Sequence, residues 1–145
     1  MTTVLTQAIA RLLFLPALVV AIATLVKGYA DTGDGFTAGV IAALAVLLQF
    51  VAFGEREVER LLPLRFAPAT AAAGLVLALV VAFVPTLFGR PIMTHAPGAD
   101  ADVVHIGTVE LITAVAFDVG VFLLVFGFAV STIGLIARAR LRRFP

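Results

Sequence analysis

The chain has 145 residues, of which 62% are apolar and 13% charged. A soluble domain carries about a quarter charged residues, so this balance excludes one and indicates an integral membrane protein. A net charge of +1 with no basic run interleaved with aromatics excludes a nucleic-acid partner, and the lack of cysteine excludes disulfides, thiolate metal sites and cysteine nucleophiles.

The first apolar run predicts a helix over 6–28. Pro16 lies inside it, which a membrane helix tolerates because neighbouring groups re-satisfy the freed carbonyl. A basic head at Arg11, the apolar run and then Gly28-Tyr29-Ala30 also fit a cleavable secretory signal. Lys27 directly after the run, and the apolar character of the remaining chain, favour a retained helix.

Asp31-Thr32-Gly33-Asp34-Gly35 reads as a turn, in which Gly33 supplies backbone freedom and Thr32 or Asp34 can cap the next helix. That second helix is predicted over 35–54. Gly35, Gly39 and Ala43 fall at intervals of four residues, a small-residue stripe on which another helix can lie closely. Gln49 is the one polar group in the interior of this run. Residues 55–66 alternate charge and leucine, an interfacial link that ends near Pro63 and has ordinary surface charge.

A third helix is predicted over 67–89, without ionisable side chains, with Pro68 in its first turn and Pro85 near its far end. Residues 90–105 read as an outer loop rich in proline, glycine and aspartate. The fourth helix is predicted over 106–138 and stops at Arg138, Arg140, Arg142 and Arg143. The whole forms a single membrane domain, all-α, with four transmembrane helices.

Four spans place both termini and the 55–66 link on one side, with Arg11, Arg56, Arg60, Arg65, Arg138, Arg140, Arg142 and Arg143. Only Lys27 and Arg90 fall on the other. This positive-inside bias puts both termini in the cytoplasm.

Two carboxylates, Glu110 and Asp118, are the ion-path candidates, because an acid in an apolar span needs a partner or a task. On one continuous helix they would share a broad face, about 80° and about 12 Å apart, with Thr108 and Thr113 nearby. The alternative use of Asp118 is a structural bond to a backbone group or to an arginine of another helix. Gly120, Gly127 and Gly134 recur every seven residues and make a second small-residue seam for helix packing. His95 and His105 read as solvated loop residues, with too few neighbouring ligands for a metal site. No nucleophile–base pair or phosphate loop is present, so no residue is assigned to catalysis, and neither an enzyme nor a bound cofactor is expected.

Two stretches carry a family resemblance. Gly33-Asp34-Gly35-Phe36-Thr37-Ala38-Gly39 resembles the Pro-Gly-Gly-Gly-Phe-x-(Gly/Ala)-Gly signature of the MrpB (also called MnhB) component of multisubunit sodium/proton antiporters. Phe117-Asp118-Val119-Gly120-Val121 is similar to that family's Phe-Asp-x-Gly-Val segment in its last helix. Thr32 stands where the family's proline is common and Asp34 replaces the central glycine, while Gly33, Gly35 and Gly39 keep the backbone requirement. The resemblance implies a small subunit, in a prokaryotic cell membrane, of a complex that exchanges Na+ for H+. Its partners would include large proton-translocating subunits related to those of respiratory complex I. The competing context is a purely structural subunit of a related assembly such as a membrane-bound hydrogenase. An autonomous four-helix drug exporter is disfavoured, since that class needs an acid in its first helix and residues 8–26 hold none.

Overall fold

A computed structural model describes residues 3–28, 33–61, 64–94, 105–106, 109–110 and 113–143; at 55, 61, 105, 106, 109, 110 and 140–143 it describes backbone only. Among the described residues there are five α-helices, α1 (Val4–Lys27), α2 (Gly35–Phe53), α3 (Glu55–Leu61), α4 (Ala67–Leu87) and α5 (Thr113–Arg143), and a 3-10 turn at Leu64–Phe66. All but α3 are long and apolar enough to cross a membrane. The bounds of α1, α2 and α4 fall within two residues of the 6–28, 35–54 and 67–89 runs.

The last helix departs from its expected bounds. It starts at Thr113 rather than 106 and continues to Arg143. Ahead of it, two-residue strands β1 (His105–Ile106) and β2 (Val109–Glu110) pair antiparallel, with His105 opposite Glu110. The physical reason lies in composition: Ile106 and Val109 of these strands are β-branched and suit an extended backbone. Hydropathy runs on ahead of α5, although the described pairs 105–106 and 109–110 are strand.

The spanning helices form a row in the order α1, α2, α5, α4. α2 packs against α1 on one side and α5 on the other, and α5 packs against α4. α1 and α2 run antiparallel, tied by two side-chain amides: Gln7 Nε2 donates to the Ala52 carbonyl at 3.3 Å and Gln49 Nε2 to the Ala10 carbonyl at 2.8 Å. Gln49, unassigned from sequence, is buried and serves this interface.

Small residues let α2, α5 and α4 approach closely. A Cβ on Gly39 would sit 3.0 Å from the Val125 side chain and 3.1 Å from the Phe122 carbonyl oxygen. Along α4 and α5, Gly120 lies against Ala78 and Gly74, and Gly127 against Ala71 and Ala67, an antiparallel crossing of backbones. Gly134, expected in this seam, is not part of it: nothing lies within 4 Å of a Cβ built there. α4 begins at Ala67, which is already opposite Gly127, so its partner helix has ended before Gly134 is reached.

At that same end, α3 tucks back under the row. Val58 is 1% exposed and joins Val46, Phe50, Ala67 and Val130 in the core cluster. Glu59 accepts from both Arg138 Nε, at 3.0 Å, and Arg138 Nη2, so the charge read as ordinary surface ties α3 to α5.

Candidate functional site

The site grows from the sequence of the α1–α2 turn. Gly33 has φ +119°, a backbone region that side chains with a Cβ rarely adopt, and among the described residues flanking α2 it shares this only with Gly54 at the other end, with φ +79°. The turn aims the Gly33 amide toward α5, where Asp118 stands in the second turn. Gly33 N–H donates to Asp118 Oδ2 at 3.0 Å, joining residues 85 apart in sequence.

Asp118 is 5% exposed, the one buried carboxylate among the described residues. Its burial follows from two absent side chains. A Cβ on Gly28 would lie 3.0 Å from Asp118 Oδ2, and one on Gly35 would overlap the Asp118 carbonyl. Gly28 and Gly35 thus leave the room that the acid occupies. The position also suits an anion, because the first turn of α2 carries unpaired amides and the positive end of the helix dipole.

Asp34 stands at the N-cap position of α2, yet its side chain makes no capping bond. The expected capping role is corrected by its geometry. Its backbone is helical (φ −81°, ψ −6°) where a capping residue is extended, and its carboxylate is turned to Lys27 Nζ at 3.2 Å. The point 3.0 Å from Asp118 Oδ2 beside Gly28 is also 3.3 Å from the Asp34 Cβ. Lys27 and Asp34 therefore form a partly exposed rim, and Asp118 lies buried beside it.

Glu110, the other acid proposed from sequence, does not join this group by helical spacing. It belongs to β2, ahead of α5, and its backbone is paired with that of His105. The expected line of Glu110 and Asp118 along one helix is therefore not formed. His95 and Thr108 lie outside the described residues. Thr113 opens α5 and lines an apolar cleft of ≈ 470 Å³ with Arg90, Thr94 and Phe88, beside α4.

Chemically the arrangement is a carboxylate with one oxygen held by an amide and no other hydrogen-bond donor among the described residues. A buried carboxylate has up to four acceptor positions, and leaving most of them empty is costly. Such a group completes its shell with a proton, a cation, water or a neighbouring polar group.

A family model described as a domain related to the MnhB subunit of Na+/H+ antiporter matches residues 5–131. This chain belongs to the MnhB family. The match takes in α1, α2, α4 and the part of α5 that carries Asp118 and the glycine seam. Among relatives, the Na(+)/H(+) antiporter B subunit of Bacillus subtilis is 36% identical over 74% of this chain and 73% of its own length. The protein of the same name from Alkalihalophilus pseudofirmus is 34% identical over 76% of this chain and 75% of its own. A Rhizobium meliloti chain named as a probable K(+)/H(+) antiporter A/B subunit is 32% identical over 94% of this chain, which covers 14% of that longer protein. As a multi-pass MnhB-family protein, the chain is therefore similar to components of multisubunit antiporters rather than to enzymes.

Proposed function

We propose that this chain is the B-type component of a monovalent cation/proton antiporter complex in a prokaryotic cell membrane, and that Asp118 lies on the path of the cation or proton. Sodium is the expected cation, after the names of the Bacillus and Alkalihalophilus relatives. The potassium name of the Rhizobium relative, at similar identity, argues that ion choice is made by other components of the complex. That relative's A/B name supports a large A-type component in the position of direct neighbour.

The orientation that fits is one with both termini in the cytoplasm. Arg11, Arg56, Arg60, Arg65 and Arg138 lie toward the α3 end of the row, and Lys27 and Arg90 toward the other. Lys27, Asp34 and Asp118 then form a mouth on the external side.

The observation that carries the proposal is the burial of Asp118, whose one donor among the described residues is Gly33 N–H. The same bond favours a second reading, in which Asp118 is only a clamp between α5 and the α1–α2 turn. The two readings separate cleanly by substitution. Asp118→Asn keeps an oxygen that can accept from Gly33 but removes the charge, whereas Asp118→Ala removes both. Each variant is placed in the assembled complex and sodium/proton exchange is followed in inverted vesicles, with complex content checked on native gels. An ion-path role predicts loss of exchange in both variants with Asp118→Asn still assembled. Near-normal exchange by Asp118→Asn, with only Asp118→Ala impaired, would leave the clamp alone.

A further inference from the structure

We propose that the cleft between α1 and α4, at the α3 end of the row, is a binding site for an anionic phospholipid. One acyl chain lies in the cleft, and the headgroup phosphate rests on Arg11 and Arg65. The proposal rests on the chain being embedded in a membrane and does not depend on any role for Asp118.

The cleft exists because α1 and α4 flank the row without forming an interface of their own. Its walls are Phe14 and Leu18 of α1, Leu64 and Phe66 ahead of α4, and Phe126 and Val130 of α5. The one hydroxyl in it among the described residues, that of Thr70, is already donated to the Phe66 carbonyl at 3.0 Å. The surface offered is therefore hydrocarbon.

The cleft has a volume of ≈ 210 Å³ and lies open between two membrane-spanning helices, where an acyl chain can lie along its apolar walls.

The charge next to it selects the headgroup: neither Arg11 nor Arg65 lines the cleft itself, but each adjoins residues that do. Arg65 stands between two cleft residues, Leu64 and Phe66, and its Cζ lies 4.6 Å over the Phe66 ring. Arg11 is one turn before Phe14, with its Cζ 4.8 Å over Phe53, a residue packed with Phe14 and Leu64 on the same core cluster. Among the described residues the nearby carboxylates are engaged elsewhere, Glu57 with Arg60 and Glu59 with Arg138, and neither Arg11 nor Arg65 has a carboxylate partner. Both guanidinium groups are held on aromatic faces, with their donors available to a phosphate. Basic groups beside an apolar cleft between helices are the arrangement that recognises an anionic lipid.

The full chain is reconstituted in phosphatidylcholine vesicles containing trace spin-labelled phosphatidylglycerol or spin-labelled phosphatidylcholine, and the motionally restricted lipid is measured by electron paramagnetic resonance. The wild type should prefer phosphatidylglycerol by up to about thirtyfold, given two arginines at the site. R11Q/R65Q should abolish that preference, R11K/R65K should keep most of it, and Leu18→Trp should lower the restricted population of phosphatidylglycerol by filling the cleft. Equal binding of the two lipids by wild type, or undiminished selectivity in R11Q/R65Q, would overturn the proposal. So would capture of another polypeptide instead of lipid by a photoreactive side chain at position 18 in the assembled complex.

Discussion

Gly74 and Gly134 differ in surroundings so sharply that the same substitution should act on them with opposite signs. A Cβ on Gly74 would fall on the Leu124 amide nitrogen, 2.6 Å from the Gly120 carbonyl oxygen and 2.8 Å from the Leu123 Cβ. Two of these three are backbone atoms that cannot turn aside, so Gly74→Ala must push α4 and α5 apart. Overpacking costs about 1–3 kcal/mol, and a backbone clash belongs at the upper end of that range. Alanine returns about 1 kcal/mol in helix propensity, which leaves a net loss of about 2 kcal/mol. Gly134→Ala meets nothing within 4 Å and keeps the propensity gain of up to about 1 kcal/mol. The two variants should thus differ by about 3 kcal/mol in the unfolding of the purified full chain, followed by circular dichroism during SDS titration in mixed micelles. If Gly74→Ala proved as stable as Gly134→Ala, the close crossing of α4 on α5 would be refuted.

Other outcomes follow from the same contacts. Gly33→Ala must hold an alanine at φ +119° and should lower stability by about 1–3 kcal/mol in that titration, and an unchanged midpoint would count against the turn geometry. Gln49→Leu deletes the bond to the Ala10 carbonyl, so a loss of about 0.6 kcal/mol is expected, in line with other polar contacts between membrane helices. A gain in stability would show that the α1–α2 interface does not use it. Glu59→Gln removes an exposed charge pair with Arg138 and should cost less than about 1 kcal/mol. A loss above about 2 kcal/mol would mean that α3 is locked to α5 more firmly than a surface pair allows.

Much of this fold is legible in the sequence, because a bilayer forces spans to be continuous apolar runs with their backbone bonded internally. The bounds of α1, α2 and α4 follow from that rule. It fails at the start of α5, since Ile106, Val109 and Ile112 are as apolar as the helix they precede and hydropathy does not sense β-branching. Pairing between distant elements is also invisible. Asp118 stands out as an acid in an apolar run, but its tie to Gly33 spans 85 positions and depends on how α2 lies along α5. Asp34 looks like a cap by residue type, and only the placement of Lys27 shows where its carboxylate goes. Gly74 passes unnoticed in an alanine-rich run. A spacing signal existed in Ala67, Ala71, Gly74 and Ala78, which recur on one face of α4 and meet Gly120 and Gly127. Gly134 keeps the seven-residue rhythm of its own helix, which carries no information about where the facing helix stops.

The most direct test of the role given to Asp118 is infrared difference spectroscopy on the assembled complex as sodium replaces protons. A carboxylate on the path should contribute a change in its C–O stretching bands on addition of sodium, and Asp118→Asn should delete that band while the rest of the spectrum persists. Identical difference spectra for wild type and Asp118→Asn, recorded on complexes of equal composition, would show that neither ion reaches this side chain.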